Sequence, residues 1–203
     1  MIQGVFSIVI GYLLGCLSPA ALLSKLKKKD LRDNGTGNLG ATNTMLVLGK
    51  NYGIAVMIFD VTKGYLSVKL AQRLFPLCTL AGLIAGCAAI VGHIFPFYLN
   101  FQGGKGLAAL GGLVLGIDPI LFPGLLILGL LMMFATNSGY AMPITAAVLF
   151  PILFALRSES IGACLIVLAI GALIVFQNVK TMRNQKNKEQ PEVRDFVKNH
   201  LGH

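Results

Sequence analysis

Apolar residues run along this chain in long blocks, broken by short polar or glycine-rich punctuation. Residues 4–24 form the first block, interrupted late by Ser18-Pro19, and a basic, glycine-containing stretch follows as far as Gly49-Lys50. Further blocks cover 52–72, 79–99, 105–117, 119–134, 141–156 and 160–176. A helix needs about 20 apolar residues to cross roughly 30 Å of hydrocarbon. The run 105–117 falls short of that and is expected to be partly buried in protein, and Asp118-Pro119 separates it from the run that follows. The pattern predicts an all-α membrane protein, a compact bundle of about seven transmembrane helices, some of them short or broken. Residues 1–176 are expected to form a single multi-span membrane domain. Residues 177–203 are expected to form a basic, solvated tail, helical in part from Glu192 onward. No internal repeat is visible.

Composition agrees with this reading. The chain is 55% hydrophobic and 12% charged, with a mean hydropathy of +0.75, more apolar surface than a soluble domain of this length can hide. No charged residue intervenes between Asp118 and Arg157. The net charge of +9 is confined largely to residues 25–32 and 180–198, beside apolar blocks. That is the positive-inside arrangement. A nucleic-acid surface would interleave aromatic residues with the basic ones, and Phe196 alone stands among them there. Both basic regions require the cytoplasm, so an even number of spans lies between them. A break at Asp118-Pro119 provides six, placing the N-terminus outside, the C-terminus inside and both glycine-rich loops at the cytoplasmic face. No basic residue precedes the first block, so it is expected to remain as an anchor rather than to be cleaved. Cys16, Cys78, Cys87 and Cys164 are scattered through apolar sequence without a C-x-x-C pair, which suits buried thiols rather than a metal or disulfide site.

Two loops carry candidate chemistry. In Asn34 to Asn43 (N-G-T-G-N-L-G-A-T-N), Gly35, Gly37 and Gly40 allow tight turning and close approach to a ligand. Thr36, Asn38, Thr42 and Asn43 supply neutral donors and acceptors. In Gly103-Gly104-Lys105-Gly106 a cation joins a glycine turn at the start of an apolar run. Backbone N–H groups in such turns, and at a helix N-terminus, favour an anion. Asp60 and Lys63 lie three residues apart within an apolar block. They share a helix face as a structural ion pair or as a substrate-binding pair. His93 precedes Pro96 near the second loop and is a candidate catalyst or a helix-end hydrogen-bonding group.

In matching order and spacing, G-T-G-N-L-G-A-T-N (35–43), F-D-V-T-K-G (59–64), G-H-I-F-P (92–96) and G-G-K-G-L-A (103–108) resemble the acyl-phosphate-dependent glycerol-3-phosphate acyltransferases, the PlsY family of bacterial membranes. The resemblance covers nearly the whole chain. It implies a seven-helix enzyme of the bacterial inner membrane that moves a fatty acyl group from acyl phosphate to the 1-hydroxyl of glycerol 3-phosphate. The product would be lysophosphatidic acid for phospholipid synthesis, with no metal or other cofactor. It also implies catalytic roles for Thr36, Asn38, His93 and Lys105. Phosphate or substrate binding would fall to Gly35, Gly37, Gly40, Thr42, Asn43, Gly103, Gly104, Gly106, Asp60 and Lys63.

The chain departs from the family pattern at several positions. Thr36 stands where the family usually has Ser, and Leu46 where it usually has Arg. The turn Thr136 to Tyr140 lacks the family's basic residue. In Gln177 to Glu189 the third signature is barely present: Asn178, Thr181 and Asn184 stand about where the family has His, Asn and Arg. Lys180 and Arg183 are candidate substitutes for the missing charge, each one position away, or about 100° around a helix. The alternative reading is a catalytically silent or altered-substrate paralogue that binds phosphate-bearing lipid or a partner membrane protein. A small transporter of phosphorylated solutes ranks below both, because no repeat relates the two halves.

Overall fold

The structure is a computed structural model that describes residues 2–185. The described residues contain nine α-helices and no strand: α1 (Ile2–Cys16), α2 (Pro19–Leu26), α3 (Ala41–Leu48), α4 (Lys50–Leu74), α5 (Ala81–Ile94), α6 (Leu107–Ile117), α7 (Leu121–Thr136), α8 (Ala141–Ala155) and α9 (Ile161–Gln185). The helical expectation from residue 192 onward lies outside the described residues. The chain divides between Pro119 and Ile120 into two compact units, α1–α6 in the first and α7–α9 in the second.

Local chemistry sets the helix ends. Ser18 breaks the first apolar block because it stands in extended backbone and its hydroxyl accepts from the Ala21 N–H, while Pro19 opens α2. Proline fits there because its missing N–H would be unpaired in any case. The block expected over 79–99 ends as an α-helix at Ile94, and a 3-10 turn over Phe97–Leu99 follows Pro96. Asp118 caps α6 in extended backbone and Pro119 follows it. The apolar pattern does not announce α3, which grows directly out of the first glycine-rich stretch. At the other end, α9 runs on to Gln185. The boundary drawn at Gln177 therefore marks the end of apolar sequence, not of the helix.

In the first unit, α5 packs against α1, and α6 against α4. Small residues let these backbones approach closely, as is usual between helices in lipid. A Cβ at Gly11 or Gly15 would overlap the Ala85 or Ala89 carbonyl of α5, and one at Gly112 would overlap the Val61 carbonyl of α4. In the second unit, α8 packs on both α7 and α9. Many large apolar side chains face outward, among them Val5, Phe6 and Leu13 on α1 and Leu131 and Leu165 in the second unit. An outer surface of this kind suits lipid rather than water. By length and composition, three described stretches are able to cross a membrane: Ile2–Leu26, Ala81–Leu99 and Ile161–Asn184.

Candidate anion-binding site

The first glycine-rich loop is folded around Asn43. Fully buried in the first turn of α3, Asn43 donates from Nδ2 to the Leu31 carbonyl at 2.7 Å and the Asn34 carbonyl at 3.2 Å. Its Oδ1 accepts from the Thr36 N–H at 2.6 Å. Asn43 is therefore the clasp that closes the loop, although its residue type alone suggested a ligand contact. Gly35 and Gly37 take φ values of 62° and 70°, left-handed backbone that glycine adopts without penalty. Thr36 and Asn38 are half-buried, and Thr42 is exposed on α3. Leu46 lies half-buried further along the same helix.

The second loop is fixed from behind by the end of α5. The Gly103 N–H donates to the Ile94 carbonyl and the Gly104 N–H to the His93 carbonyl, both at 2.9 Å. Gly106 caps α6 with φ 93°, so Lys105 stands in the loop, two residues before the helix, and not inside the span expected from 105. Burial pushes the Lys105 ammonium down to about 8, still mostly charged at neutral pH. The imidazole of His93 lies against Gly104 so closely that a Cβ there would overlap Nε2.

Arg32 joins the two loops, a role that sequence reasoning missed. Its Nη2 donates to the Leu99 carbonyl at 3.0 Å and the Gln102 carbonyl at 3.1 Å. The base of the first loop is thereby held to the approach to the second. In sequence Arg32 looked like one more residue of the cytoplasmic basic run, and nothing in its neighbourhood distinguished it.

Behind the second loop sits a buried ionic cluster. Lys63 Nζ lies 2.7 Å from Asp60 Oδ1, 2.9 Å from His93 Nδ1 and 2.7 Å from the Leu17 carbonyl oxygen. His93 Nδ1 is 3.4 Å from Asp60 Oδ1. Asp60, Lys63 and His93 are only 2%, 3% and 7% exposed. The first two are committed to each other and to protein groups, the ion-pair arrangement that was one of the two readings of their spacing.

Lys180 and Arg183 belong to the second unit. Both are exposed, and with Phe176 and Val179 they line an apolar groove of about 680 Å³ between α8 and α9. Asn178 is buried and donates to the Ile174 carbonyl at 2.8 Å. Lys180 and Arg183 stand roughly 200° and 140° around the helix from it. The basic pair thus occupies a different face of α9 from the residue that stands where the third signature begins. Among the described residues, no cluster of His, Cys, Asp and Glu is able to hold a metal ion.

Known proteins resemble this chain along most of its length. The family described as Glycerol-3-phosphate acyltransferase matches residues 5–188. A glycerol-3-phosphate acyltransferase of Aquifex aeolicus (strain VF5) is 32% identical over 178 residues, covering 87% of this chain and 92% of the relative. One from Streptococcus sanguinis (strain SK36) is 31% identical over 199 residues, covering 94% and 92%. The crystal structure of PlsY (YgiH), an integral membrane glycerol 3-phosphate acyltransferase in its glycerol 3-phosphate form, superposes with a TM-score of 0.84 at 28% identity, covering 93% of this chain and 94% of that one. Its lysophosphatidic acid form superposes with a TM-score of 0.81 at 26% identity.

Proposed function

This chain belongs to the glycerol-3-phosphate acyltransferase family, and from that premise we propose that its two glycine-rich loops form the site at which acyl phosphate acylates glycerol 3-phosphate. The enzyme is an acyltransferase of phospholipid synthesis. What the reading adds is the donor, the residues and the setting. The 1-hydroxyl oxygen of glycerol 3-phosphate attacks the acyl carbon, the bond from that carbon to the phosphate oxygen breaks, and the hydroxyl proton leaves with the released phosphate. Acyl phosphate is already activated, so no covalent nucleophile is required of the protein. Its tasks are to align two phosphate-bearing molecules and to stabilise charge that develops on the carbonyl oxygen.

Lys105 supplies a cation, and the N-terminus of α6 beside it N–H donors, for one phosphate. The Gly35–Gly40 turn, with Thr36 and Asn38, serves the other phosphate or the reacting centre. The single observation that carries this reading is the Arg32 bridge, which ties two phosphate-suited loops together within one compact unit. The positive-inside pattern supports placing both loops at the cytoplasmic face of the bacterial inner membrane. In the test, purified protein is given acyl phosphate and glycerol 3-phosphate, with released phosphate and lysophosphatidic acid measured together. Equal release of both, dependent on both substrates, is expected. Phosphate-ligand binding without turnover would instead identify a silent paralogue.

A further inference from the structure

Lys63 Nζ has two hydrogen-bond partners and a carboxylate oxygen beside it. A lysine ammonium carries three N–H donors and accepts nothing. Here the Leu17 carbonyl at 2.7 Å, Asp60 Oδ1 at 2.7 Å and His93 Nδ1 at 2.9 Å surround Nζ. Two N–H groups cannot point at each other across 2.9 Å, so Nδ1 of His93 accepts from Lys63. The competing arrangement has Nδ1 donate to Asp60, but that separation is 3.4 Å, beyond the usual N–H···O range. In a histidine, the hydrogen bond made by one ring nitrogen decides the proton on the other. From this geometry we infer that Lys63 holds His93 with its ring proton on Nε2, so that a hydrogen-bond donor, rather than a base, faces the second glycine-rich loop.

The placement of Nε2 gives that proton a purpose. Nε2 and Cε1 form the edge of the ring against Gly104, next to Lys105, and only a glycine leaves room for it. Nε2–H adds a neutral donor beside the Lys105 ammonium, both favouring an anion. The same geometry excludes a Ser-His-Asp style role for Asp60 and His93: in such a pair the carboxylate accepts a hydrogen bond from Nδ1–H, which keeps the proton there and leaves Nε2 free to accept. Here Lys63 occupies Nδ1 and reverses the polarity of the ring. His93 is thus a binding donor, and Lys63 and Asp60 are positioning residues that act through it.

The inference rests on the phosphate reading of the Lys105 loop, and its test separates the two. In protein labelled with 15N-histidine, the ring nitrogens of His93 report the tautomer directly in the ligand-free state. The His93→Gln variant identifies its signals among those of the three histidines. A protonated Nε2 with a bare Nδ1 is expected, and inorganic phosphate should move the Nε2 resonance. A proton on Nδ1, or on both nitrogens, would overturn the inference. An Nε2 signal indifferent to phosphate, in protein whose phosphate affinity is lost in Lys105→Ala, would also overturn it while leaving the loop reading intact. Unchanged affinity in Lys105→Ala would instead sink the loop reading, with the tautomer still read in the free protein. In kinetics, His93→Gln keeps an N–H near the Nε2 position and should lose less activity than His93→Leu. His93→Leu should raise KM for one of the two phosphate-bearing substrates about ten- to hundredfold, the usual scale for a bond to a charged acceptor. Lys63→Met should cost activity in the native background and add little to His93→Leu, because the two act as one unit. Independent, additive losses would reduce Lys63 to a purely structural residue.

Discussion

Lys105 is the residue on which affinity should depend most, because it is the full charge in a loop otherwise made of glycine. Lys105→Ala should weaken phosphate-ligand binding by about 1.5–3 kcal/mol, the range for a charge-assisted bond. Burial favours the neutral amine and sets its titration at about 8. Affinity should therefore be full near neutrality and fall as pH rises through about 8, well below the range of an ordinary lysine near 10.4. Ligand titrations across that interval check the sign, and a flat profile up to about pH 10 would contradict it. Lys105→Arg should remove the alkaline loss, since guanidinium stays charged, yet restore affinity poorly because a planar fork does not match a tight glycine turn. At this scale the sequence disclosed types and order but not direction. Glycines at 35, 37, 103, 104 and 106 announced their loops because only glycine suits such turns and approaches. Asn43 and Arg32 did not announce their roles, since a clasp and a bridge look in sequence like any other polar side chain.

Among the helices, close approach matters more than any single contact. Gly112 of α6 lies on the backbone of α4, where an added methyl group would overlap the Val61 carbonyl. Overpacking of this kind costs about 1–3 kcal/mol. Gly112→Ala should lower Tm, and it should also weaken ligand binding, because α6 carries the second loop at its N-terminus. Gly124 on α7 has nothing within 4 Å of such a methyl group. Gly124→Ala should leave Tm unchanged or raise it, since alanine is the better helix former by up to about 1 kcal/mol. Thermal unfolding of the two variants in the same detergent makes the comparison, and equal losses would contradict the packing argument. Hydropathy located the apolar stretches that became α1 and α5–α9, which are apolar over most of their length, and also α4, although that helix carries Asp60, Lys63 and Lys69 within its block. It did not locate α3. Ala41–Leu48 mixes threonine, asparagine and leucine without a lipid-length run, and that helix is held by α4 rather than by bilayer.

For the whole molecule, the testable quantity is topology. In a background without the four native cysteines, single cysteines at positions 38 and 184 should react only from the cytoplasm and one at 77 only from outside. Reactivity of 38 and 184 from opposite faces would break the seven-crossing scheme. The buried Asp60–Lys63 pair has a consequence of another kind, for how the chain is made. Both residues belong to α4, whereas His93 follows thirty residues later, so α4 reaches the membrane before that neighbour exists. An isolated charge at such depth is costly, but each member of this pair meets its counter-charge one turn away at 2.7 Å. The middle of the helix can therefore enter lipid without a bare ion, with the opposite charges of Asp60 and Lys63 carried as a dipole. Replacing either partner alone would leave a bare ion at the moment of insertion, before any folded neighbour is present to receive it.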